Sequence, residues 1–297
     1  MPIQRARFFA LSPTLQGIAW MIAAGLVFSL LNTVLRVVAL QVNPLQVQFL
    51  RYFCGLLVMV PLILRVGVRA YRPNGLTGQM WRGLIHTTGM VLWYMALPHL
   101  TLADMTAIGF TSPIFVMIGA VLVFHERMFW ERWASAALGF VGVLIVVGPR
   151  MQSTGGMYDL IMLASSPLFA ASALITKALT RRDSPDVIIV WQCVTISLFS
   201  LPLALLDWTW PTAAQWGVFM GIAVLGNVAH YCTARSLKVA DATAGQTVKF
   251  LDLIWMTGLG YLVFRDLPTA TTLAGGLVIF LATSWVARRE ARRRHSL

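Results

Sequence analysis

Lys249 and Asp252 stand three residues apart inside an apolar stretch, close enough to meet on one face of a helix. Gln246 and either Trp255 or Met256 extend that face at helical spacing. An ammonium and a carboxylate held away from water need an opposite charge or several hydrogen bonds. Lys249 could attract the carboxylate of a small zwitterion, with Asp252 tuning it. The two could equally pair with each other and tie their helix to a neighbour. A second group, His86, Met90 and Trp93, shares a face with Tyr94 beside it. Its rings would stack on a planar or apolar group, and a His can carry a coupling proton near neutral pH. Ordinary helix packing explains the same pattern. Further polar positions are Asn32 followed by Arg36, Gln48 with Arg51 and Tyr52, Trp191 with Gln192, and Asn227 with His230 or Tyr231. Arg51 lies about two turns from a segment end, so it can snorkel to the interface or meet a substrate carboxylate.

These residues favour binding over catalysis. The chain has no Gly-x-Ser-x-Gly elbow, no P-loop and no metal-spaced His pair, so neither a metal nor a cofactor is expected. His99 and Asp104 have the spacing of the His-Asp pair of glycerolipid acyltransferases. A second copy of the same segment has Ser236 and Asp241 there, which makes the Asp part of a duplicated frame and the His incidental.

Apolar helices must hold these groups. The chain of 297 residues is 58% hydrophobic and 11% charged, with a mean hydropathy of +0.74, whereas soluble domains are roughly 25% charged. Its apolar runs reach about 20 residues, the length that crosses a hydrocarbon core. Ten spans are predicted, near 15–37, 45–64, 80–97, 102–124, 132–148, 157–178, 186–206, 213–233, 240–264 and 270–287, joined by short links. Cys54, Cys193 and Cys232 lie inside runs and read as packing thiols. The first run follows Arg5 and Arg7 as a signal peptide would, but it is too long for one and reads as a retained helix. With a cytoplasmic N-terminus, eighteen Lys and Arg, Arg82 and Lys177 among them, fall to the inner links and three to the outer ones. That asymmetry predicts both termini in the cytoplasm. The net charge of +12 then faces anionic lipid headgroups rather than nucleic acid.

The chain contains its middle twice. Tyr94–Ala107 reads YMALPHLTLADMTA and Tyr231–Ala244 reads YCTARSLKVADATA, with six of the fourteen positions identical. Phe28 and Arg36 match Phe169 and Lys177 at one constant offset. Third and fourth spans thus answer eighth and ninth. An odd offset of five spans inverts one copy in the membrane, the architecture of many secondary transporters. Asp104 and Asp241 are expected to cap the fourth and ninth spans. Glu126 and Asp266 close those spans and are expected to pair with nearby Arg127, Arg132 and Arg265. Pro113 and Pro167 remove helix hydrogen bonds at mid-span and are candidate hinges or static kinks.

Five plus five spans, the Ala-Asp-Met-Thr-Ala and Ala-Asp-Ala-Thr-Ala openings at Ala103 and Ala240, and the Phe-His-Glu-Arg run at Phe124 resemble the EamA type of the drug/metabolite transporter superfamily. The resemblance covers about residues 15–287. It implies an all-α polytopic protein of two inverted five-helix repeats, at 15–148 and 157–287. A cytoplasmic N-terminus (1–14) and a basic tail (288–297) would flank them. It also implies alternating access at a central cavity, with the fifth and tenth helices as peripheral supports. Members of the family export aromatic and other amino acids or import S-adenosylmethionine or riboflavin. The aromatic content points first to amino-acid export from the bacterial inner membrane, with import as the alternative, by a monomer or homodimer.

Overall fold

The computed structural model describes residues 13–109, 111–124, 130–147, 149, 154–240 and 251–294. These residues form eleven α-helices: α1 Pro13–Ala39, α2 Pro44–Val66, α3 Leu76–Ala96, α4 Leu102–Gly109, α5 Ser112–Phe124, α6 Trp130–Val147, α7 Thr154–Leu179, α8 Pro185–Ala204, α9 Ala213–Val239, α10 Leu251–Phe264 and α11 Ala270–Arg294. Helix starts follow from local chemistry. Asn43 accepts from the Leu45 N–H (2.9 Å) ahead of Pro44. Its repeat mate Ser184 accepts from Val187 ahead of Pro185. Thr212 and Gln215 form a reciprocal capping box for α9.

The way the halves clasp is itself two-fold. α1 packs on α9 and α7 packs on α3, so the first helix of each repeat lies on the third of the other. α2 lies on α8 and α6 on α11, second on second and fifth on fifth. α2 meets α9 as α8 meets α3, and α10 meets α1 as α5 meets α7. The fifth helices support each other from within one chain. Outward faces stay apolar: Leu26, Leu30, Leu198, Val224 and Val228 are exposed. Five of the helices are long and apolar enough to cross a membrane. The chain is a multi-pass membrane protein of ten spans in two inverted five-helix repeats.

Several expectations need correction. The fourth span is described as two helices, α4 and α5, with Thr111 a turn residue ahead of α5. Pro113 therefore opens a new helix, where a missing N–H costs no hydrogen bond. Pro167 does lie inside a continuous helix, α7. The tenth span runs on as helix through Arg294 into the basic end. Asp104 is not the cap of α4: Thr101 accepts from the Asp104 N–H (3.1 Å) and donates to its carboxylate (2.6 Å). The other carboxylate oxygen accepts from Thr272 of α11 (2.6 Å). Asp266 pairs with Arg36, not with neighbouring Arg265. Arg265 adopts a left-handed φ of 59°, which ends α10 and turns the chain towards α1. Arg36 also lies 4.3 Å over the Phe264 ring. Arg82 and Lys177 are not link charges. Arg82 is buried in α3, and Lys177 donates to the Leu237 and Ala240 carbonyls (2.7 and 2.6 Å), closing the C-terminal end of α9. Asp241, Glu126, Arg127, Arg5 and Arg7 lie outside the described residues.

Candidate functional site

A cavity of about 290 Å³ lies between the halves, near the lower end of the roughly 300–1,000 Å³ range of small-molecule sites. Both repeats build it, through equivalent positions: Met21 and Met162, Phe28 and Phe169, and Trp93 and His230 are repeat mates, and all six line it. A belt of rings crosses it. Phe28 meets His230 edge-on at 5.0 Å, His230 meets His86 at 5.6 Å, and His86 meets Phe169 at 5.4 Å. Mates thus flank the belt, one phenylalanine from each half.

A continuous chain of polar contacts runs behind the belt through five helices. Arg51 of α2 donates to Nε2 of His230 of α9 (3.2 Å), so that nitrogen is an acceptor. The Tyr52 hydroxyl lies 3.4 Å from the same nitrogen and 3.2 Å from Nε2 of His86 of α3. Nδ1 of His86 is 3.0 Å from the Ser172 hydroxyl of α7. Thr176 donates to the Ser172 carbonyl (2.7 Å) and accepts from Nε of Arg82. Arg82 Nη2 then donates to Gln192 of α8. Such a chain satisfies buried polar groups that would otherwise be costly in an apolar medium. It also joins the halves at mid-depth. Arg51 and Arg82 are each only 4% exposed, and both line the cavity.

Arg51 does not snorkel. It turns inward because Gly226 of α9 leaves room: a Cβ there would sit 3.0 Å from its Nε. The guanidinium lies 4.6 Å over the Tyr52 ring.

The cavity lining contains Asn32, Arg51, His86, Met90, Trp93 and Asp252 of the predicted site residues. Asp252 packs against Gly25 of α1, where a Cβ would collide with its carboxylate. The lining does not include Tyr94, Tyr231, Asn227 or Trp191. Tyr94 is fully buried, with its ring 5.1 Å edge-on to Trp93. Tyr231 meets Trp20 of α1 at 6.2 Å. Asn227 donates to the Gly55 carbonyl (2.8 Å) and accepts from Cys193 (3.3 Å), tying α9 to α2 and α8. Trp191 donates to the Tyr71 carbonyl (2.9 Å) at an end of the bundle. Lys249 and Gln246 lie outside the described residues. His99 stacks on Tyr158 with centroids 3.7 Å apart, and the mates of that pair, Ser236 and Gly17, also touch, through a 2.7 Å hydrogen bond. Arg82, Phe28 and Met162 escaped prediction. The positional match of Phe28 to Phe169 was the signal available for two of the rings.

The EamA-like transporter family matches the chain twice, at residues 15–148 and 156–288. The chain belongs to that family. The EamA-like chain is 31% identical over 280 residues to a riboflavin transporter of Rhizobium johnstonii, covering 93% of this chain and 92% of that one. It is 23% identical over 283 residues to an S-adenosylmethionine uptake transporter of Rickettsia prowazekii (95% and 96% covered). It is 24% identical over 275 residues to a pseudopaline exporter of Pseudomonas aeruginosa (92% and 96% covered). One crystal structure superposes with a TM-score of 0.68 at 18% identity, over 93% of this chain and 99% of its own, which shows the shared fold. In this EamA-like protein the two repeats meet at a ring-lined, arginine-bearing cavity.

Proposed function

We propose that this transporter takes up a small polar metabolite bearing an aromatic heterocycle, by alternating access at the central cavity. The observation that carries the reading is the belt of Phe28, His230, His86 and Phe169 beside Trp93. Rings in such a belt recognise a planar group by stacking and area burial. Riboflavin and S-adenosylmethionine, for which relatives are named, both carry one. Uptake of such a molecule has better support from these relatives than the amino-acid export that aromatic content suggested. Export remains a second reading because one relative is an exporter. We place the protein in a bacterial inner membrane with both termini cytoplasmic, on the Lys and Arg asymmetry of its links. The basic helix end would then meet anionic headgroups. Asn32, Asp252, Met90 and, by its spacing to Asp252, Lys249 are proposed to contact the substrate, and the α4–α5 break and Pro167 to serve as hinges.

The test is counterflow in proteoliposomes preloaded with unlabelled riboflavin, S-adenosylmethionine or phenylalanine. Accumulation of labelled riboflavin or S-adenosylmethionine is expected. Accumulation of phenylalanine alone would replace this reading with amino-acid transport. A reporter fused after Leu297 and assayed for cytoplasmic activity checks the orientation.

A further inference from the structure

Among the described residues, no carboxylate pairs with Arg51 or Arg82, although Asp252 lines the same cavity. The groups that meet them are neutral: His230 and the Tyr94 hydroxyl beside Arg51, and Thr176 and Gln192 for Arg82. Among the described residues, the ion pair recorded is Arg36–Asp266, at the far end of α1, and no carboxylate lies within 4.0 Å of either cavity guanidinium. One of the three nitrogens of Arg51 and two of the three of Arg82 have protein acceptors. The remaining nitrogens are not among the fully enclosed unpaired atoms. Since both side chains line the cavity, these donors open into it. A guanidinium presents a planar fork that fits a carboxylate or phosphate with two parallel hydrogen bonds. Leaving two such cations in a low-dielectric bundle is costly unless an anion joins them.

We infer that Arg51 and Arg82 form an oxyanion subsite in the central cavity, which receives a carboxylate or phosphate group of the transported molecule while the ring belt holds its planar part. The inference rests on the transporter reading and narrows its substrate class: an aromatic heterocycle joined to an oxyanion, as in the amino-acid end of S-adenosylmethionine, in preference to a neutral molecule such as riboflavin. The subsite draws on both repeats, because Arg51 is seated against α9 and Arg82 against α7 and α8. A bound anion would therefore add to the contacts that hold the halves together.

The test uses the full chain in nanodiscs and matched probes that share a ring and differ in charge. Indole-3-acetate is compared with its isosteric amide, and S-adenosylmethionine with its decarboxylated analogue, by ligand-dependent shift of the thermal unfolding midpoint. The acid of each pair is expected to bind at least tenfold more tightly in the wild type. In Arg51→Gln and in Arg82→Gln that preference should fall below threefold, a charge selectivity that a purely structural role would not produce. The wild-type comparison needs no variant to fold. Equal binding of acid and amide, or binding of neither acid, overturns the subsite. Counterflow of riboflavin together with equal acid and amide binding would remove the subsite and leave the transporter reading intact. Acid preference without counterflow of any heterocycle would do the reverse.

Discussion

Trp93 and Asn227 are both polar-edged residues inside apolar helices, and they divide cleanly by what they touch. Trp93 lines the cavity, so Trp93→Ala should leave the fold standing and raise the counterflow KM about 2- to 13-fold, as expected for roughly 0.5–1.5 kcal/mol of ring stacking. Trp93→Phe should recover most of that loss. Asn227→Leu should behave oppositely. It removes the bond to the Gly55 carbonyl, and a membrane hydrogen bond is worth on the order of 0.6–2 kcal/mol. The unfolding midpoint should fall while KM stays at the wild-type value; a raised KM would move Asn227 into the substrate's reach. Sequence spacing found His86, Met90 and Trp93 because type and period agreed there. It could not separate them from Tyr94 or Trp191. Lipid tails are as apolar as a protein core, so hydrophobic period does not say which helix face meets a cavity. Arg82 was misread for a related reason: a cation near a span end looks like a topology signal until its partners, Thr176 and Gln192, are seen.

Helices approach closely where glycines permit it. At Gly83 of α3 an added Cβ would run into the Thr195 side chain of α8. Gly83→Ala should lower stability by about 1–3 kcal/mol, the cost of overpacking, seen as a lower unfolding midpoint in detergent. Gly221 of α9 has nothing within 4 Å of such a Cβ. Gly221→Ala should be neutral or slightly stabilising, since Ala is the better helix former. A destabilised Gly221→Ala would mean that this face is covered by something other than lipid. At this scale the sequence was informative. The duplicated Tyr-to-Ala segment, with Asn43-Pro44 and Ser184-Pro185 at matching places, carried the two-repeat arrangement of the spans. Thr111-Ser112-Pro113 marked the place as a hinge or kink, but spacing alone did not show that a new helix starts there, because apolar residues continue on both sides.

For the molecule as a whole, the two ends of the bundle are held differently. Arg36 and Lys177 are repeat mates, yet Arg36 pairs with a carboxylate across to α10 while Lys177 grips the carbonyl end of α9. Arg36→Ala or Asp266→Ala should loosen α1 from α10. A cysteine placed at Asn32, in the cavity wall one turn below Arg36, should then react faster with an impermeant maleimide added on the Arg36 side. The charge exchange Arg36→Asp with Asp266→Arg should restore slow labelling. Unchanged labelling in the single variants would mean that this pair does not hold that end closed.

The cavity's two arginines have no counterparts in the other repeat. At the offsets that align the second spans and the third spans of the two repeats, Gln192 answers Arg51 and Phe219 answers Arg82. Under the proposed alternating access, swapping the conformations of the halves would therefore not return the same binding surface, and the two facing states would hold their cargo with unequal strength. A passive carrier cannot turn that inequality into net work, because its maximal velocity and half-saturating concentration must rise or fall together on each face. What the inequality can set is the working range: one compartment is sampled at low concentration and slowly, the other at high concentration and fast.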